Sequence, residues 1–162
     1  SVTDPIEYTI VRHLQAALGA MTVAGGYHYA VAAVVVKLDP NHDVEALVPP
    51  DGPRPFVLIQ LAPERWAYQK ANRIGLGLAV LIHWVGEATL TADESRMLTY
   101  FRGCADVERA IAVDISRGGL AVDTKITKRT CDESPGNTGA RVWAILDVEI
   151  PLYRTYGAPD GV

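Results

Sequence analysis

Cysteine is scarce in this chain: two in 162 residues, Cys104 and Cys131, far apart and without a CxxC partner. That count excludes a cysteine-built metal cage, and it is too low for a disulfide-stapled secreted scaffold. Cys104 falls in an apolar helical pattern and reads as a buried thiol. Cys131 sits near the end of a strand pattern, and no disulfide between the two is expected. Long hydrophobic runs are also missing. The longest, from Ala30 to Val36, stops at Lys37, well short of the roughly 20 residues that a membrane-spanning helix needs. The start of the chain has no basic stretch followed by an apolar core, so no signal peptide is expected, and Ser1 fits removal of an initiator methionine. Positive charge is not in excess either. The net charge of −4 gives no general attraction to nucleic acid.

What is present is an ordinary globular balance, 49% hydrophobic and 21% charged, which argues against disorder. The length fits a single domain, with a core over about residues 4–154 and a tail over 155–162. A first helix is announced by Asp4 as N-cap, Pro5 at the first helical position and Glu7 three residues on. Ile6, Ile10, Leu14 and Leu18 then form its apolar stripe, and Gly19 stops it. Tyr27 to Leu38 reads as a strand, as do Phe56 to Leu61 and Leu76 to Val85, the last apolar on both faces and therefore central. Between these lie a Pro- and Asp-rich loop over residues 39–55 and a polar segment from Pro63 to Gly75.

A second helix opens at Thr91 or Asp93, with Met97, Phe101, Cys104, Glu108 and Ile111 at core spacing and Leu98, Ala105 and Ala112 beside them. Arg117-Gly118-Gly119 is a turn, and so is Ser134 to Gly139. Leu120 to Thr130 alternates, with Leu120, Val122, Thr124 and Ile126 on one side. Val142 to Leu152 alternates again and pairs with it as a hairpin, Pro151 marking a bulge or an edge. The order helix, three strands, helix, two strands predicts an α+β fold: a mainly antiparallel β-sheet with two helices packed on one face.

Catalytic signatures do not emerge. GxSxG, GxxxxGK[ST] and HExxH are all missing. Gly75-Leu76-Gly77 is a fragment of a dinucleotide loop, but it precedes a strand where a helix is required. Asp39, Asn41 and Asp43 open like a calcium loop, which then fails at Val44 and Pro50, so capping acids in a turn is the simpler reading. His83 lies inside a buried strand pattern and reads as a hydrogen-bonded core histidine. Asp106 and Glu108, two apart on a helix, point to different sides. Asp147 and Glu149 share a strand face and suit charge pairing across the hairpin with Lys125 or Arg129 better than a two-carboxylate site. No catalytic, cofactor-binding or metal residue is assigned. A small enzyme with an unfamiliar site around His28, His42 and Asp43 is the remote alternative.

The residues that do attract attention are those of binding surfaces, where aromatic area and planar cations concentrate. They are the basic segment with Arg65, Trp66, Lys70 and Arg73; Trp143 on the less apolar face of its strand; and Tyr153, Arg154 and Tyr156 near the end of the chain. The Pro-rich loop from Val48 to Pro55 is a further candidate.

The layout carries a resemblance. The first helix runs into Gly26-Tyr27 and a long strand, and a Pro-bounded strand pair follows. Then come a helix with Asp106-Val107-Glu108-Arg109-Ala110, the turn Arg117-Gly118-Gly119, and a strand ending Ile150-Pro151-Leu152-Tyr153-Arg154. This resembles the tail terminator (tail completion) proteins of long-tailed bacteriophages, from about Asp4 to Pro159, in element order and short phrases. The resemblance implies a non-enzymatic virion protein without cofactor. It forms a ring, usually hexameric, that caps the tail tube, stops its growth and offers the surface for head attachment. The implied partners are further copies of itself, the tail-tube protein and a head–tail connector or neck protein. DNA passes through the ring without sequence-specific binding, no membrane is involved, and assembly takes place in the host bacterial cytoplasm. A connector or a tail-tube subunit is the alternative within the same particle.

Overall fold

The computed structural model describes residues 4–37, 47–49, 52–62, 66–88, 93–131 and 140–158. Helix α1 spans Ile6–Gly19, with Pro5 itself at the N-cap and no side-chain capping bond, so Asp4 does not play the role expected of it. Ile6, Ile10, Leu14 and Leu18 are buried as their spacing predicts, joined by Val11. The strands are β1 (Ala33–Lys37), β2 (Phe56–Ala62), β3 (Ala67–Lys70), β4 (Arg73–Glu87), β5 (Lys125–Cys131) and β6 (Arg141–Thr155). Helix α2 spans Asp93–Ala112 between β4 and β5.

The strands form one sheet in the order β1-β2-β4-β6-β5, with β3 pairing to β4 beyond the end of β2. Every pairing is antiparallel except β1 with β2. The spine is the pair β4–β6, in register from Arg73–Thr155 to Glu87–Arg141. At 15 residues each, these strands run for about 50 Å. Both helices lie on one face of the sheet. There Val57, Ile59, Leu78, Val80, Ile82, Trp84, Leu146, Val148 and Ile150 meet the apolar sides of α1 and α2 in the main core. The α+β class and the one-sided helices are as the sequence predicts.

Among the described residues, the opposite face is covered at one end only. Near Glu87–Arg141 it carries a second cluster, in which Val48 covers Phe56, Leu58, Val85 and Trp143. Beside it Trp143 Nε1 donates to His83 Nδ1 at 3.1 Å, and His83 Nε2 lies 3.2 Å from Gln60 Oε1. An indole only donates, so Nδ1 accepts and the proton of this buried, neutral imidazole sits on Nε2, facing Gln60. His83 is thus a core histidine, as expected. Trp143 is not the surface residue expected from its strand face: it is 2% exposed, because the 47–49 segment closes over this end of the sheet.

Four further differences have local causes. The first strand is shorter than expected because residues 28–31 are held elsewhere. The amides of His28 and Tyr29 donate to the Asp106 carboxylate at 2.9 and 3.0 Å, and that of Val31 to Met21 O at 3.1 Å. The segment from Leu120 to Thr124 is likewise outside the ladder. Ala121 N bonds Ser116 O and Thr124 Oγ1 bonds Ile115 O, which leaves Val122 exposed instead of facing inwards. Pro151 marks no bulge but does lie at a local edge: it pairs with Gly77 on one side and has no β5 ladder partner on the other. Its missing N–H points toward β5, which begins pairing only at Lys125–Glu149, and on that side Pro151 O accepts from Val122 N.

The core stripe of α2 is rotated from the expected one. Gly103, Cys104, Asp106, Val107, Ala110 and Ile111 are buried, whereas Met97, Leu98, Phe101 and Glu108 are exposed. Gly103 faces inward because the Trp84 indole lies against it; a Cβ there would stand 2.5 Å from Trp84 Cε3. Asp106 faces inward to satisfy the 28–29 amides. The turn after α2 is as predicted: Arg117, Gly118 and Gly119 have φ of 51, 74 and 83°. The buried Arg117 guanidinium returns to the carbonyls of Ile111 and Asp114 at the end of the helix.

Candidate functional site

At the other end of the open face the sheet carries an aromatic cluster. Its basis is a hairpin that the sequence does not announce, since all four residues of β3 are exposed and show no alternation. Lys70 pairs with Arg73 across the two-residue turn Ala71-Asn72, and Tyr156 N bonds Asn72 O at 2.6 Å, tying the tip to the end of β6. The ladder continues past β3 through Gly77 N and Trp66 O at 2.9 Å. Trp66, Tyr68, Lys70, Arg73 and Tyr153 thereby all come to the face away from the helices.

Two glycines make the seat. Gly75 pairs with Tyr68 on one side and Tyr153 on the other. A Cβ on it would lie 2.7 Å from Tyr68 Cε1 and 2.8 Å from Tyr153 Cε1. A Cβ on Gly77 would lie 2.4 Å from Trp66 Nε1. The three rings pack over this bare strand: Trp66 stacks on Tyr68 with centroids 5.8 Å apart, and Tyr153 is 6.4 Å from Trp66 and 6.3 Å from Tyr68. Trp66 Nε1 donates to Glu149 Oε1 at 3.2 Å, which fixes the indole in plane. The neighbouring Tyr153 side chain, then burial, push the Tyr68 phenol above its usual range.

Around the rings stand cations. The Arg73 guanidinium lies 5.4 Å from the Tyr153 centroid, in cation–π range. Tyr68, Lys70, Arg73, Gly75 and Tyr153 line a shallow hollow of about 250 Å³. Neither Lys70 nor Arg73 forms an ion pair with a described residue. Tyr68 is 52% and Tyr153 39% exposed, large apolar areas left in water. Exposed aromatic surface beside cations that have no ion-pair partner among the described residues is the composition common at binding surfaces.

Of the residues singled out from the sequence, Trp66, Lys70, Arg73 and Tyr153 come together here, and Tyr156, 57% exposed, lies beside the hairpin tip. Arg65 falls outside the described residues. Trp143 belongs to the buried cluster at the far end. Arg154 turns to the helix face, where its Nε lies 3.4 Å from Glu7 Oε1 with both side chains largely buried. Tyr68, Gly75 and Gly77 were missed. Their signal was the glycine spacing of two, which on a strand puts both bare positions on one face.

The histidines are dispersed. His28 Nδ1 meets Asp106 Oδ1 at 2.9 Å, but the same carboxylate is committed to two backbone amides, so its work is to hold the loop. Asp39, Asn41, His42 and Asp43 fall outside the described residues. His13 lies 3.5 Å from Asp114. Among the described residues there is no group of three His, Cys, Asp or Glu able to hold a metal ion, and no helix long and apolar enough to cross a membrane. Cys104 is buried and Cys131 exposed, and no disulfide joins them. Across the hairpin Lys125 stands opposite Glu149 and Lys128 opposite Asp147, whereas Arg129 pairs with Glu108 on α2. No protein-family model and no curated protein sequence matches this chain.

Proposed function

We propose that this chain is a virion structural protein of the tail terminator kind: a subunit of a ring, hexameric by the resemblance, that caps the phage tail tube, stops its growth and presents the head-attachment surface. The observation that supports this reading is the aromatic–cation cluster on the open end of the sheet. A repeating subunit needs a contact surface that is rigid before it meets its partner, since ordering side chains on association costs affinity. The cluster meets that need: its rings are packed on one another, seated on glycine and held by Glu149. Subunit contacts in a closed ring use unlike patches and cover on the order of 800 Å² per partner. On this reading further copies, the tail-tube protein and the connector are the partners, and DNA crosses the ring unread.

The test is electron microscopy of tail tubes mixed with the gold-labelled protein. Label confined to one end of the tube, with length growth arrested, is expected. Label along the whole tube, or none at the ends, would overturn the reading.

A further inference from the structure

Two like charges meet at the tip of the β3–β4 hairpin. Lys70 and Arg73 are register partners across the turn Ala71-Asn72, so their side chains leave one face of the sheet with Cβ atoms about 5 Å apart. Cations directly opposite each other on a ladder repel. Across β5 and β6 the lysines are matched with acids instead: Lys125 stands opposite Glu149 and Lys128 opposite Asp147. Lys70 and Arg73 face each other, and neither makes an ion pair with a described residue. The arrangement is unfavourable in the isolated subunit and turns favourable when an anion lies between the two cations.

The surroundings define the anion. The hollow walled by Tyr68, Lys70, Arg73, Gly75 and Tyr153 has a volume of about 250 Å³, below the roughly 300–1,000 Å³ of sites for drug-sized ligands. It is on the scale of a side chain. Arg73 lies 5.4 Å from the Tyr153 centroid, which places the guanidinium at the rim, where its fork of N–H donors suits a carboxylate. The exposed rings of Tyr68 and Tyr153 offer apolar area to whatever flanks that carboxylate.

A polynucleotide fits less well. Successive bases stack on aromatic faces along a basic groove. Here Tyr153 meets Tyr68 at 74° and Trp66 at 45°, so the rings do not form a common platform. The cations form one spot and no track. Asp147 and Glu149 follow from Tyr153 along the same face of β6, where they repel a phosphate backbone leaving the hollow.

We infer that the hollow binds a carboxylate side chain on an extended acidic segment of a partner protein. The carboxylate bridges Lys70 and Arg73, and an apolar side chain beside it lies on Tyr68 and Tyr153. This rests on the reading of the cluster as the subunit's contact surface, and it names the chemistry that the partner brings there.

The probe is a short acetylated, amidated peptide of alternating glutamate and tyrosine. It is titrated into isotope-labelled protein by nuclear magnetic resonance up to roughly 1 mM, where even weak contacts register. Saturable shifts are expected over residues 68–75, at Tyr153 and at the Trp66 indole N–H. The same peptide with glutamine for glutamate should bind about tenfold more weakly, the worth of one hydrogen bond to a charged group. So should the glutamate peptide with the Lys70→Gln, Arg73→Gln protein. No saturable shift, equal binding of the two peptides, or tighter binding of a thymidine oligonucleotide or of inorganic phosphate would overturn the inference. A second measurement needs no ligand. Lys70→Gln alone should raise the urea midpoint, more so at low salt, because it removes the repulsion; a lowered midpoint would show that Lys70 is already satisfied within the subunit, and would overturn the inference too. The tail-ring reading fails separately, if protein that binds the acidic peptide leaves tube ends bare.

Discussion

One methyl group, added at Gly77, should unseat the cluster. The Cβ of Gly77→Ala would stand 2.4 Å from Trp66 Nε1, 2.7 Å from Cδ1 and 2.8 Å from Cε2, separations that no rotamer adjustment of an alanine can relieve. The β4 backbone is locked between β3 and β6, so the indole must lift. Lifting breaks its bond to Glu149 at 3.2 Å and its stack on Tyr68 at 5.8 Å. A half-exposed hydrogen bond is worth about 1 kcal/mol because water replaces it, and the aromatic pair adds about 0.5–1.5 kcal/mol. Against this, alanine is favoured over glycine in a strand by about 0.5–1 kcal/mol. The balance is a loss of about 1 kcal/mol. Had Trp66 been enclosed, overpacking would have cost up to about 3 kcal/mol; the open face lets the ring escape. Urea unfolding at constant slope measures the loss, and the Trp66 indole N–H resonance reports the displaced ring. A variant as stable as the parent, with that resonance unmoved, would refute the seating of Trp66 on Gly77.

Other expectations follow from the core and the turns. Leu14, fully buried on α1, should cost about 2–5 kcal/mol when truncated to alanine; a cost near zero in chemical denaturation would mean that α1 is not docked on the sheet. Arg154→Glu should lower the melting temperature by setting two carboxylates together at Glu7, and the swap Glu7→Arg with Arg154→Glu should recover a coupling of about 0.5–3 kcal/mol in a double-mutant cycle. A coupling of zero would return Arg154 to the surface. Asp114 is held at about 2 by the Ser116 hydroxyl first, then by the Gly118 and Ser116 amides. Its folded pKa is the lower one, so its contribution is complete above pH about 4 and lost as pH falls toward about 2. Asp114→Asn should flatten the acid limb of stability in that window, and an unchanged slope would show that the carboxylate does not carry it.

How far the fold was legible depended on whether each residue's neighbours were local. The stripe of α1 and the alternation of β6 rest on apolar spacing alone and read correctly. The stripe of α2 did not, because two of its inward positions are a glycine and an aspartate. Gly103 is inward only because Trp84 occupies the space above it, and Asp106 only because the chain at 28–29 lacks a ladder partner. Neither fact is encoded within the helix. β3 was illegible for the opposite reason. Its residues are all solvent-facing, so no hydrophobic alternation marks them, and the strand exists because Arg73 to Leu76 offers it an edge.

Trp66 and Trp143 show what turns an aromatic residue into a contact surface. Both lie on the same face of the same sheet, and from sequence both read as exposed. Beneath Trp66 the next strand carries Gly75 and Gly77, and among the described residues no apolar cluster like that around Val48 covers this end. Beside Trp143 it carries Val85, and further out Leu58 and Phe56, bulk enough to draw Val48 across them. The identity of the tryptophan decides neither outcome; the size of the side chains one register position away does. Covering one end with an internal layer stiffens the long β4–β6 spine there, where the start of α2 is anchored through Arg96 and Arg141. Leaving the other end bare keeps the aromatic platform available.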